Sequence, residues 1–238
     1  MNAVSAMLCS DNRRSSRSGE AGTAMAVAPR DLAHVYWIGG SPCSGKTSIA
    51  EALAEAYRLQ LYHADQAYFR HANVVTPERQ PIFHKLVHLS ADELWMRDVE
   101  EQVAEEVMLY QEEFPLILDD LRALPATRPI LAEGAALLPE CVVPFLRVAH
   151  HAIWIVPTPA FQVKHYAQRA WAQEVVASCA DPQQAFDNWM QRDMRFAEHV
   201  KQSARRLNMR TLVVDGGRSL GETTVMVERY FQLAPVIR

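Results

Sequence analysis

The octet Gly40-Ser41-Pro42-Cys43-Ser44-Gly45-Lys46-Thr47 constrains this chain more than any other feature. It matches G-x-x-x-x-G-K-[ST] at each fixed position, between an apolar run ending at Gly39 and helical periodicity beginning at Lys46. Small residues let a backbone wrap closely around an anion. Successive N–H groups and a helix N-terminus then supply the positive potential that holds it. Lys46 adds a point charge for the β- and γ-phosphates of a nucleotide, and the Thr47 hydroxyl is placed to ligate Mg²⁺. Ser48 completes the binding segment 40–48. Cys43, near Lys46 and a helix N-terminus, has surroundings that favour a reactive thiolate, although the motif asks only for a small residue there.

Five short runs read as strands: 35–39 (VYWIG), 60–64 (QLYHA), 129–133 (PILAE), 152–156 (AIWIV) and 211–215 (TLVVD). Three are nearly continuous apolar runs, the pattern of parallel strands buried on both faces. Helical periodicity predicts helices over 46–57, over 91–109 behind a capping box from Ser90 to Glu93, over 183–207 and over 222–233. Strand–helix alternation predicts an α/β domain with a parallel sheet.

Composition narrows the function classes. A formal net charge of −4 argues against nucleic acid as the main partner. No apolar run approaches a membrane span, and the first ten residues lack the basic start and apolar core of a signal peptide. The four cysteines, Cys9, Cys43, Cys141 and Cys179, form no CxxC pair and suit free thiols in a cytoplasmic protein. Residues 1–30, with the polar and basic stretch at 10–19, read as a disordered tail, and Met25 is an alternative start. His84 and His88 are spaced like a metal pair, but no third ligand is apparent and no zinc site is expected. His150-His151 and the tryptophans read as structural.

From about His34 to Gly216 the chain resembles the P-loop small-molecule kinases, the group of adenylate, shikimate and gluconate kinases. The phosphate loop, the polar end of the second strand (Tyr62-His63-Ala64-Asp65), the acidic end of the third (Ala132-Glu133-Gly134) and an Arg-rich segment after the fourth carry the resemblance. It implies a P-loop NTPase three-layer sandwich: a five-stranded parallel sheet in the order 2-3-1-4-5, with a helical lid. It makes residues 31–238 one kinase domain, with an acceptor-binding insertion at 70–128 and a lid at 157–196. The implied substrates are ATP with Mg²⁺ and a small-molecule acceptor.

Within that resemblance Asp65 is expected to orient the acceptor hydroxyl or accept its proton. Glu133 and Thr47 are expected at the metal, although Asp is the more usual residue where Glu133 stands. Arg169, Arg192 and Arg195 are expected to clamp the moving phosphoryl group. The spacing of Arg192 and Arg195 puts both on one helix face. In the insertion, His71, Arg79, Gln80, His84, Lys85, Trp95 and Arg97 are candidates for an anionic or ring-bearing acceptor. The turn at Gly216-Gly217 is expected near the base. The alternative is a P-loop ATPase or nucleotide switch acting on a protein partner. The chain has no N-K-x-D for guanine, and Glu-Gly ends the third strand where an AAA-type machine has Asp-Glu. Neither the acceptor nor the oligomeric state follows from the sequence.

Overall fold

The computed structural model describes residues 32–233. The tail expected at 1–30 lies outside the described residues. Five parallel strands form one sheet: β1 (Val35–Gly40), β2 (Gln60–His63), β3 (Ile130–Glu133), β4 (Ala152–Pro157) and β5 (Thr211–Val214), in the order β2-β3-β1-β4-β5. The order is the one that the resemblance implied.

Both faces of the sheet are covered, which explains the continuous apolar strands. Ile38, Leu131, Ile153 and Ile155 face α1 (Lys46–Tyr57) and α10 (Leu220–Phe231), against Ile49, Leu53 and Phe231. Trp37, Ile130, Ala132 and Trp154 face the other way. They join a larger core with helices α5 (Val99–Ala123) and α9 (Pro182–Arg206) through Phe114, Ile117, Phe196 and Val200. Between β2 and β3 lie α2 (Ala64–His71), α3 (Pro81–His88), α4 (Ala91–Trp95) and α5. Short α6 (Pro139–Val142) follows β3, and α7 (Pro159–Ala167) and α8 (Ala170–Val176) follow β4.

The helix expected over 91–109 is two helices. The capping box at Ser90 and Glu93 is present, but the helix that it starts stops at Trp95. Asp98 then caps a new one by accepting from the N–H groups of Glu100 and Glu101. That second helix runs to Ala123 through Pro115, because Phe114, Ile117, Leu118 and Leu121 are all buried in the core and hold it there.

Register fixes the working edge. Ile38 of β1 and His63 of β2 both pair with Glu133, so β2 and β3 end at one level and β1 runs two residues further, to Gly40, where the phosphate loop begins. In open α/β sheets this edge is where ligands bind.

Candidate active site

The phosphate loop leaves β1 at Gly40, whose φ is 131°. A Cβ there would lie 1.9 Å from the Ile155 carbonyl oxygen, so only glycine lets the loop start beside β4. The Ser41 N–H donates to that same carbonyl at 3.2 Å. The loop then closes on itself: the Ser44 hydroxyl and the Lys46 ammonium both donate to the Ser41 carbonyl, at 2.9 and 2.8 Å. Gly45, left-handed, precedes the first turn of α1. Two contacts brace the loop from outside. Ser41 reaches the Asp193 carbonyl at 3.4 Å, and the Cys43 thiol approaches the Gln162 carbonyl at 4.0 Å.

The ends of β2 and β3 face this loop. The Thr47 hydroxyl donates to Glu133 Oε2 at 3.1 Å, and His63 Nδ1 lies 2.7 Å from Glu133 Oε1. Asp65, in the first turn of α2, accepts from the Ala135 N–H at 3.0 Å. Gly134 makes that contact possible. Its φ is 151°, and a Cβ would stand 2.7 Å from the Ala64 Cβ and 2.8 Å from Asp65 Oδ1. Burial, and next the charge of Glu133, push the Asp65 carboxyl up to about 6; Lys46 and the Ala135 N–H act in the opposite sense. For His63, burial opposes the charged form, but the hydrogen bond to Glu133 and the charge of Glu133 outweigh it and raise its pKa.

One pocket collects these groups. The loop from Pro42 to Ser48, His63, Asp65, Gln66, Tyr110, Glu133, Ala135, Tyr166, Arg169 and Trp171 line it. Arg169 caps the approach to α8, its guanidinium carbon 5.4 Å from the Tyr166 ring centre and 5.6 Å from that of Trp171. A second groove runs behind the loop past Ser48, Phe161, His165, Arg169 and Arg218. The Gly216-Gly217 turn follows β5 nearby, with the Gly217 N–H donating to Asp215 at 2.8 Å.

The other two arginines are elsewhere. Arg192 is buried in the core, 2.6 Å from Asp193 and 3.3 Å from Glu106, and stacks over Trp95 at 4.9 Å. Arg195 is exposed and pairs with Glu100. Neither lines the pocket. The expectation of one shared helix face fails because three helical steps still separate two side chains by about 60°. Here that angle divides core from surface.

None of the insertion candidates lines the pocket either. His71 bonds Glu113 and Asp120, and Lys85 and Arg97 both pair with Glu105. Gln80 and Trp95 are buried, Arg79 is exposed, and the rings of His84 and His88 stack at 4.4 Å. The structure brings Tyr110 in their place, with His63, Tyr166 and Trp171, which the sequence did not single out. His63 had a legible signal, its place at the end of the second strand. The aromatics had none.

Among the described residues no three His, Cys, Asp or Glu side chains form a metal cluster. No helix among them is long and apolar enough to cross a membrane.

No protein-family model matches the chain, and no curated protein is similar to it at a significant level. Among solved structures it is similar to a gluconokinase from Sinorhizobium meliloti, with 15% identity over 85% of this chain and 94% of that one and a TM-score of 0.41. It is similar also to an uncharacterized protein from Eubacterium ventriosum, with 14% identity over 83% and 97% and a TM-score of 0.39. Likenesses this distant carry no weight for activity. The α/β P-loop arrangement rests on the chain's own sheet order and phosphate loop.

Proposed function

We propose that the chain is a phosphotransferase that moves the γ-phosphoryl group of ATP to a hydroxyl of a small molecule. The observation that supports it best is the meeting of Lys46, Thr47, Asp65 and Glu133, from three separate segments, in one pocket. A nucleotide-binding loop alone would need no carboxylate on the acceptor side.

In this reading the loop N–H groups and Lys46 hold the β- and γ-phosphates. The Thr47 hydroxyl and the Glu133 carboxylate, 3.1 Å apart, are hard oxygen donors that fit Mg²⁺, with water and phosphate oxygens as its remaining ligands. Mg²⁺ held there would neutralise charge on the transferring phosphates. His63 fixes the Glu133 carboxylate from its other oxygen. Asp65 orients the acceptor hydroxyl and takes its proton as the acceptor oxygen bonds to phosphorus. The bond to the bridging oxygen breaks, and ADP leaves with that electron pair. Arg169 lies where it can reach the moving phosphoryl group. Arg192 and Arg195 serve structure instead. Catalysis comes from positioning and electrostatics.

The proposed domain runs over 31–238. Within it, 70–128 is the acceptor side, and the lid is the part of 157–196 formed by α7, α8 and the turn with Arg169. A cytoplasmic setting supplies the ATP. Asp65→Asn tests the assignment: calorimetry should show MgATP binding within about threefold of wild type, while phosphoryl transfer falls by at least about a hundredfold. Equal loss of both would remove Asp65 from the acceptor step.

A further inference from the structure

We infer that the phosphoryl acceptor is an uncharged alcohol with a ring or apolar face, bearing neither a phosphate nor a carboxylate. The inference rests on the kinase reading of the pocket and names its substrate class.

Beyond the phosphate loop and the groups His63, Glu133 and Arg169, the wall of the pocket is made mainly by Asp65, Gln66, Tyr110, Tyr166 and Trp171. Asp65 and Glu133 bring two carboxylates to the pocket, and a third stands behind this wall. The Tyr110 hydroxyl donates to Glu106 at 3.2 Å, and Glu106 is itself buried. Any anion on the acceptor would therefore meet negative charge in a poorly solvated site, where like charges repel strongly.

Among the described residues, the cations of the helices between β2 and β3 do not line this wall. Arg192, the guanidinium nearest Glu106, is held by Asp193 and Glu106 inside the core and does not line the pocket. Arg70, His71, Lys85 and Arg97, on the helices between β2 and β3, are engaged by Asp120, Glu113 and Glu105. The cations that do line the pocket are Lys46, His63 and Arg169. Lys46 belongs to the donor phosphates, and His63 is bonded to Glu133. Arg169 also borders the groove behind the phosphate loop, on the donor side. The aromatic surfaces of Tyr110, Tyr166 and Trp171 suit a ring or an apolar face.

The test uses the full chain with saturating MgATP and two acceptor pools. One holds uncharged alcohols: nucleosides, free sugars and glycosides. The other holds their anionic counterparts: nucleoside monophosphates, sugar acids and shikimate. ADP release above the Lys46→Ala background is expected with the uncharged pool. For the responding compound, the matched anionic derivative should show kcat/KM at least about tenfold lower. Glu106→Gln should narrow that ratio. Release with the anionic pool alone, or equal kcat/KM for the matched pair, would overturn the inference and leave the kinase reading standing. An unchanged ratio in a folded Glu106→Gln protein would overturn the part assigned to that charge. Release with neither pool would bring down the kinase reading, and this inference with it.

Discussion

Lys46 does two things that a substitution would separate. It is only 5% exposed and donates to the Ser41 carbonyl, so it shapes the loop itself as well as, in the proposed reading, meeting phosphate. A phosphate-loop lysine is expected from the sequence alone to be exposed and to add little to stability; burial and this hydrogen bond correct that expectation. Lys46→Ala should cost about 1 kcal/mol of stability through the lost hydrogen bond. Turnover should fall by at least about a hundredfold. A thermal melt beside a turnover assay separates the two effects. Asp65 gives the second residue-scale outcome. With its carboxyl pushed up to about 6, it gains its negative charge as pH rises through that value. The kcat/KM of the free enzyme should therefore climb through pH 6 and level off above it, and Asp65→Asn should lose the climb. The two helix arginines should part company. Arg192→Ala strips a buried cation from Asp193 and Glu106 and should cost about 3–5 kcal/mol. Arg195→Ala removes an exposed pair and should change stability and turnover little, by under about 1 kcal/mol. Residue types and spacing brought Lys46, Thr47, Asp65 and Glu133 forward. They could not tell a buried arginine from a substrate-facing one, because both satisfy the same helical period.

At the scale of elements, the site depends on how β3 meets α2. Gly134 lets the strand end pass against Ala64 and Asp65. Gly134→Ala should destabilise the protein by about 1–3 kcal/mol and displace Asp65, with phosphoryl transfer falling more than MgATP affinity. The far end of α2 is pinned to α5 by His71, whose ring bonds Glu113 at 2.8 Å and Asp120 at 3.2 Å. Burial opposes the charge on His71, but Asp120 and Glu113 outweigh it and push it up to about 9 from 6.5. A histidine raised in this way stabilises the fold fully below its ordinary pKa and loses that contribution as pH rises through the folded value. Burial likewise pushes Glu113 up to about 7, with the same sign. Asp120 is opposed by burial but held down to about 2, first by His71 and then by Tyr62, so its contribution fails only in strong acid. The melting temperature should fall between pH 6.5 and 9, and His71→Asn should flatten that slope. These long-range bonds join residues 42 and 49 apart in sequence, which is why periodicity gave no sign of them. The break at Asp98 was readable as a cap followed by two glutamates, but continuous apolar spacing on both sides masked it.

At the scale of the whole molecule, the sheet was the most legible part. Apolar strands buried on both faces announce themselves, while the strand order followed only from the resemblance to P-loop kinases and is the order observed. The side proposed to hold the acceptor was not legible. Its wall comes from Tyr110 on α5 and from Tyr166 and Trp171 after β4, aromatics whose spacing is that of ordinary core. Of the cations that looked available in residues 70–128, His71, Lys85 and Arg97 turned out to be engaged by carboxylates of the same insertion, and Arg79 and His84 lie outside the pocket. Only tertiary structure distinguishes the two.

The central claim concerns where the γ-phosphoryl group goes, and following it with ³¹P NMR is the most direct measurement. In the presence of MgATP and an accepted alcohol, ADP should appear in step with a new phosphomonoester resonance, and both should vanish in Lys46→Ala. Inorganic phosphate appearing in step with ADP, at a rate indifferent to every acceptor, would contradict the account and point to an ATPase or nucleotide switch instead.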